Sequence, residues 1–149
     1  MSDDPSFDAT VAEDAAPGDA APGDVVRGDE VVELTIPHDV SYIRVARLAV
    51  SGIAALCGFD IDAIDDLRLA VDELCVCCVE CGRGPIAIRF AWDGAALHVS
   101  GSSSTGPDTA TLIDDRRFDL THQVVLAAVG AHLLFVDGDS VHFSFSRQR

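Results

Sequence analysis

The segment DIDAIDDLRLAVDELCVCCVEC, residues 60–81, constrains most strongly what this chain can fold into. At about 100° per residue, its apolar side chains recur along one broad stripe, as in a helix that buries one face. Acidic residues near its beginning are favourable to the helix dipole, and Gly82 directly after it is a typical helix stop. The fold must therefore supply an apolar layer for this helix. The predicted core stripe consists of Ile64, Leu67, Ala70, Val71, Leu74, Cys75, Cys78 and Cys81.

The segments that precede this helix predict a strand and a first helix. VVELTIP alternates apolar with polar side chains and ends at Pro37, which is typical of a strand. Residues 39–58 then show a mostly apolar helical pattern, with Asp39 or Ser41 as the N-cap and Gly58 as the stop.

The segments that follow the helix predict two hairpins joined by a third helix. Asp93-Gly94 is a strong turn signal for the first hairpin, and residues 137–139 turn the second. A polar loop over residues 102–117 precedes the third helix at residues 118–131. The order β-α-α-β-β-α-β-β predicts an α/β (α+β) two-layer sandwich, a mostly antiparallel mixed sheet with helices on one face.

The first 30 residues differ in composition from the rest. They hold nine acidic residues and one basic residue, Arg27, and they include a tandem AAPGD repeat at residues 15–24. Such a segment buries too little apolar area to offset the entropy of ordering it. We expect a disordered acidic tail over residues 1–30 and one domain over residues 31–149.

The net charge of −15 restricts the classes of partner. A chain this acidic repels nucleic-acid phosphates, so direct nucleic-acid binding is not expected. The charge suits a basic protein partner, such as one that itself binds nucleic acid. The other interpretation is that the charge serves only to keep the protein soluble. The sequence has no apolar run long enough for a bilayer and no signal-like N-terminus, which favours a cytoplasmic protein without membrane contact.

Five cysteines, four of them crowded on the long helix, predict free thiols and no disulfide framework. A structural zinc site usually draws its ligands from two separated segments, so core packing is favoured over a metal site. A redox role stays open, with Cys77 as its best reporter, because the helical pattern places Cys77 and Glu73 off the core face. The five are Cys57, Cys75, Cys77, Cys78 and Cys81.

The segment DLRLAVDELCVCCVE, after a strand and an apolar helix and before a hairpin, resembles the GHKL (Bergerat-fold) ATP-binding domains. Within them it is similar to the RsbW-like branch of anti-sigma factors and serine-protein kinases. In that family a Glu-x-x-x-Asn helix supplies the activating Glu and the Asn that holds Mg2+. The resemblance puts Glu73 at the catalytic and cofactor-binding position and Cys77 at the Mg2+-ligand position. A thiol is a poor ligand for this hard ion, so a degenerate nucleotide site is expected.

Two further parts of the expected nucleotide site differ from the motifs of the family. The family's Asp-x-Gly-x-Gly motif corresponds to HVSGSSSTG, which lacks the adenine-reading acid and leaves Asp108 as a weak substitute. The glycine-rich phosphate loop corresponds to RRFDLTHQVV, which has no glycine and places Asp119 where an anion would bind. We therefore expect no cofactor and no catalytic activity. The alternative is an ATP- and Mg2+-dependent serine/threonine protein kinase with Glu73 as its base.

The resemblance also implies protein partners. In the family the first helix contacts a sigma factor, and the aromatic-x-Arg-Val motif appears here at residues 42–45. Arg44, with Arg47 one turn later, is the candidate contact to an acidic group, although a plain surface arginine is the other interpretation. The resemblance implies partner switching with an anti-anti-sigma (STAS-type) protein, and a homodimer.

The sequence thus leaves three functional hypotheses. The leading one is an anti-sigma factor that sequesters a sigma factor by protein contact and so regulates transcription. The second is an active kinase that phosphorylates the anti-anti-sigma partner, and the third is a thiol-based redox-responsive regulator. The five histidines lie on separate predicted elements and are interpreted as surface or strand residues.

Overall fold

The computed structural model describes residues 30–106 and 116–149, and these form the predicted order of strands and helices. The predicted tail over residues 1–30 lies outside the described residues except for Glu30, where the first strand begins. The elements are β1 (Glu30–Ile36), α1 (Ile43–Leu56), α2 (Ile61–Cys81), β2 (Ile86–Trp92), β3 (Ala96–Ser104), α3 (Arg116–Val129), β4 (His132–Asp137) and β5 (Ser140–Gln148).

The five described strands form one sheet in the order β1-β2-β3-β5-β4. Each of the pairings within it is antiparallel, which confirms the predicted fold class. Asp93 begins the first hairpin turn as predicted, because its carboxylate accepts hydrogen bonds from the backbone N–H groups of Ala95 and Ala96. These bonds, together with one from His98, lower the pKa of Asp93 to about 2.

The helices pack on one face of the sheet, and α2 lies between α1 and α3. Asp39 caps the turn that leads into α1, and Asp60 caps α2, each through its carboxylate and a backbone N–H. Arg147 of β5 connects the sheet to two helices. Its side chain donates a hydrogen bond to the Ala128 carbonyl of α3 at 2.9 Å and forms an ion pair with Asp66 of α2 at 3.3 Å. The centre of the core holds Leu67, Val71, Leu74, Ile88, Phe90, Leu97 and Phe143.

The prediction of a polar loop over residues 102–117 is wrong at both ends, because the first of these residues belong to β3 and the last belong to α3. Strand β3 continues through Ser104, because Ser102, Ser103 and Ser104 pair with the first residues of β5. Helix α3 already begins at Arg116. Serine carries little strand signal of its own, so the pairing partner decides where β3 ends.

None of the helices in the described ranges combines the length and the apolar character that crossing a bilayer requires.

Candidate functional site

The candidate site lies where α2 meets α3. Glu73 sits on the side of α2 that faces α3 and is partly buried. The hydroxyl of Thr121, on α3, lies 3.5 Å from a Glu73 carboxylate oxygen, which is a long hydrogen-bond contact. The predicted catalytic position is thus partly covered by a neighbouring helix. Thr121 was not singled out in the sequence, because nothing local marks it as a partner of Glu73.

The prediction that Cys77 lies off the core face is wrong. Its side chain is 1% exposed, and it lies beside the Thr121 hydroxyl of α3. A helical wheel predicts one buried direction, but α2 packs against three neighbours, namely the sheet, α1 and α3. Cys77 is buried on the side of α2 that faces α3, so Glu73 and Cys77 both lie at the α2–α3 interface and not on an open surface.

The described residues around Glu73 do not fit a magnesium-bound nucleotide. Mg2+ prefers oxygen ligands, and one turn beyond Glu73 the chain offers the buried thiol of Cys77. Burial raises the pKa of that thiol to about 12, so it is neutral at physiological pH. Asp119, exposed in the first turn of α3, places negative charge where a phosphate would meet a helix N-terminus. Asp108 lies outside the described residues.

The remaining cysteines are also buried free thiols. Burial raises the pKa of Cys75 to about 12 and raises the pKa of Cys78 and Cys57 as well. Within the part of the chain that the structure describes, no group of three or more His, Cys, Asp and Glu side chains is arranged to hold a metal ion. The geometry therefore agrees with the interpretation of the cysteines as core residues.

The two candidate arginines of α1 line one shallow notch between α1 and α2. Arg47 forms an ion pair with Asp72 of α2 at 3.3 Å, and half of its side chain remains accessible. Arg44 donates from Nε to the Ser41 carbonyl at 2.9 Å, which fixes the beginning of its side chain along the helix. A guanidinium held in this way can still present its terminal nitrogens to a carboxylate from another molecule.

A histidine pair joins α3 to β4, and the sequence did not reveal it. Nδ1 of His122 lies 2.7 Å from Nε2 of His132, and Nδ1 of His132 lies 3.2 Å from the Gly130 carbonyl. A carbonyl only accepts, so His132 donates from Nδ1, and in the neutral pair His122 donates to Nε2 of His132. Ten residues separate the two histidines, and only the turn between α3 and β4 brings them together.

We expect stability to fall as the pH drops below about 6.5, partly through this pair. Burial first, and the neighbouring His132 second, lower the pKa of His122 below its ordinary value of 6.5, although Asp119 opposes the shift. The unfolded chain therefore binds this proton more readily than the folded chain, and acid favours unfolding. Urea denaturation between pH 7 and pH 5 should show a smaller pH slope for His122→Gln than for the wild type. Equal slopes would contradict this assignment.

The chain is similar to bacterial proteins named serine-protein kinase RsbW. The chain is 33% identical over 66 residues to a serine-protein kinase RsbW of Bacillus velezensis and 35% identical over 66 residues to that of Bacillus subtilis. Each match covers 41% of this chain and 41% of the relative. A shorter match to the RsbW kinase of Halalkalibacterium halodurans is 44% identical over 46 residues, 31% of this chain and 28% of the relative.

The predicted resemblance to the RsbW-like branch is confirmed. No family model matches the chain. The matched region spans well under half the length of the RsbW-type relatives, so their activity is not transferred to this chain by similarity alone. The predicted order of strands and helices around Glu73 is present, and Cys77 occupies the position where the resemblance implies a Mg2+ ligand.

Proposed function

We propose that this RsbW-like protein is an anti-sigma factor that sequesters a sigma factor by direct contact and does not require ATP. One observation carries the proposal. The fold expected of the branch is present, yet the position expected to bind Mg2+ is a thiol buried against Thr121. Protein binding needs an intact surface, whereas phosphoryl transfer needs a metal-bound nucleotide. A surface that binds a protein partner can therefore persist after nucleotide binding has been lost.

The charge of the chain supports a partner of this kind. A sigma factor carries basic DNA-binding regions, and a binder with a net charge of −15 attracts such a protein over a distance. Arg44 and Arg47 then supply a local contact for an acidic group of the partner. Release would follow when an anti-anti-sigma (STAS-type) protein competes for the same surface. We propose that this exchange of partners takes place in the cytoplasm.

Affinity capture from the protein's own cell extract tests the proposal. We expect the tagged wild type to retain a sigma factor, identified by mass spectrometry. Arg44→Glu should reduce the retained sigma factor at least about tenfold, because it sets a carboxylate against an acidic contact. Arg68→Glu, a charge reversal at an exposed arginine of α2, is the matched control and should retain the wild-type amount. Failure of the wild type to retain any sigma factor would contradict the proposal.

An active serine-protein kinase is the second candidate function, because the relatives are named serine-protein kinases. In this alternative Glu73 acts as the base and the partner is the anti-anti-sigma protein. It requires nucleotide binding, so calorimetric titration with millimolar Mg-ATP decides between the two. We expect no binding heat from the wild type, and a clear binding isotherm would favour the kinase.

Restoring the family's asparagine should not restore the nucleotide site. Cys77→Asn adds one oxygen ligand, but Thr121 still covers the position and Asp119 still repels a phosphate. We expect no detectable Mg-ATP binding by calorimetry, with a thermal melt showing that the variant remains folded. The Bacillus subtilis RsbW kinase is the positive control. Binding by the variant alone would mean that Cys77 by itself had abolished the site.

A further inference from the structure

The sheet face that carries no helix in the described part of the chain forms an open groove of about 950 Å3. Side chains alternate between the two faces of a strand, and residues opposite each other on paired strands share a face. The register therefore places two cross-strand rows on this outer face, and none of their residues is buried. We define these rows as the outer groove. The first row is Glu33, Arg89, Ser100, Ser144 and Leu133, and the second is Thr35, Ala87, Ser102, His142 and Phe135.

The outer groove has a floor of small side chains between two walls of larger ones. Glu33 and Arg89 stand on the side of β1 and β2, joined by a 3.8 Å ion pair, and Leu133 and Phe135 stand on β4. Strands β2 and β4 are three strand spacings apart, about 14 Å, and an α-helix with its side chains is about 10–12 Å wide. The groove thus has the width for one helix that lies along β3 and β5. The floor consists of Ser100, Ser102 and Ser144.

The wall on β4 is apolar and exposed. Leu133 is 60% exposed and Phe135 is 44% exposed, whereas Leu134 between them packs against the core. The Phe135 ring stacks on the His142 ring, with 5.3 Å between the ring centroids, which limits the directions that the exposed phenyl ring can take. The fold itself does not require apolar side chains at these two outward positions. A contiguous apolar wall beside a groove is typical of a surface that binds another molecule.

The charges beside the outer groove indicate which kind of helix it accepts. The Glu33 side chain is 77% exposed on one wall, and its ion pair with Arg89 is long and so contributes little. Asp137, two residues after Phe135 on β4, is exposed on the same face. With a net charge of −15, a second copy of this chain is repelled, whereas a basic helix is attracted. The complementary helix is amphipathic, with large apolar side chains toward β4 and basic side chains on its flanks.

We infer that the outer groove is a docking site for one basic amphipathic helix of a protein partner. The inference goes beyond the proposed function, because the groove lies on the sheet face opposite α1 and its two arginines. The docked helix adds a third layer to the two-layer sandwich and buries Leu133 and Phe135. A protein held at Arg44 and a helix held in the outer groove occupy different faces of the molecule.

The test uses the full chain and a defined probe, a fluorescent peptide of about 18 residues of leucine, alanine and lysine, with its leucines on one helical face. Fluorescence anisotropy measures its dissociation constant. We expect the wild type to bind it at least about tenfold more tightly than a scrambled peptide, which has the same charge but no apolar face. Leu133→Asp and Phe135→Asp should each weaken binding at least about tenfold, because each places a charge in the apolar wall.

Two control variants separate the outer groove from a general effect of charge. Leu126→Asp adds the same charge at an exposed leucine of α3 and should bind the peptide like the wild type. Glu33→Gln should weaken binding about threefold at low salt and have no effect at high salt, because salt screens an exposed charge. Asp62→Asn removes the same charge from an exposed position of α2 and should not change binding. Thermal melting shows that each variant remains folded.

The assay contains no sigma factor, so its result does not depend on the proposed function. Selective binding of the amphipathic peptide, lost in Leu133→Asp and Phe135→Asp and kept in Leu126→Asp, supports the docking site. Equal affinity for the amphipathic and the scrambled peptide, or unchanged binding by both β4 variants, would overturn it. If sedimentation velocity shows that Phe135→Asp converts a dimer of this chain to a monomer, the outer groove joins two copies and the inference is wrong.

Discussion

Leu74→Ala should lower the free energy of unfolding by about 3 kcal/mol, within the range measured for leucines removed from well-packed cores. Leu74 is fully buried on α2, directly after Glu73, and belongs to the cluster that joins α2 to the sheet. Its truncation removes apolar contacts and leaves a cavity, because the surrounding strands cannot collapse onto the helix. Urea denaturation of the wild type and the variant measures the difference.

Leu69→Ala is the matched control on the same helix. Leu69 is 42% exposed, so the same truncation should cost less than about 1 kcal/mol. Equal destabilisation by the two variants would mean that α2 does not pack on the sheet as described. The comparison tests the orientation of α2, on which the positions of Glu73 and Cys77 depend.

All five cysteines should react very slowly with a thiol reagent in the folded protein. All are buried, and for Cys75 and Cys77 burial raises the pKa from an ordinary value of 9 to about 12. At pH 8 a shift of this size reduces the reactive thiolate about thousandfold, before any steric protection is counted. Labelling with Ellman's reagent should therefore be slow in buffer and complete within the mixing time in concentrated urea.

The same labelling experiment decides whether the redox hypothesis survives. A redox-responsive regulator needs at least one accessible thiol with an unraised or lowered pKa. If one thiol reacts rapidly in the folded state, and Cys77→Ser removes that fast phase, Cys77 is a sensor and our description of the α2–α3 contact is wrong. Uniformly slow labelling leaves the cysteines as core residues.

Much of the fold could be predicted from local signals. The apolar stripe of α2, the Asp93-Gly94 turn and the alternation of Val141, Phe143 and Phe145 in β5 each specify an element without knowledge of its neighbours. These elements, taken in order, already implied helices on one face of an antiparallel sheet. The outward-facing residues of β5 are partly exposed, as that alternation requires.

The details that depend on long-range contacts could not be predicted in this way. Cys77 is buried because α3 packs beside α2, and a single helical pattern does not indicate how many neighbours a helix has. Thr121 meets Glu73 across 48 residues of sequence, and His122 meets His132 through a turn. The position of Arg44 beside Arg47 was predicted, since both lie on one helix, but the pairing of Arg47 with Asp72 was not.

We expect sigma binding to persist without nucleotide. The most direct measurement is the dissociation constant of the purified complex with the captured sigma factor, determined by interferometry without nucleotide and again with millimolar Mg-ATP. We predict the same constant in both conditions, because the described residues around Glu73 and Cys77 do not fit a magnesium-bound nucleotide. A complex that forms only with Mg-ATP, or that tightens at least about tenfold with it, would contradict nucleotide-independent sequestration and would give the nucleotide site a role in binding.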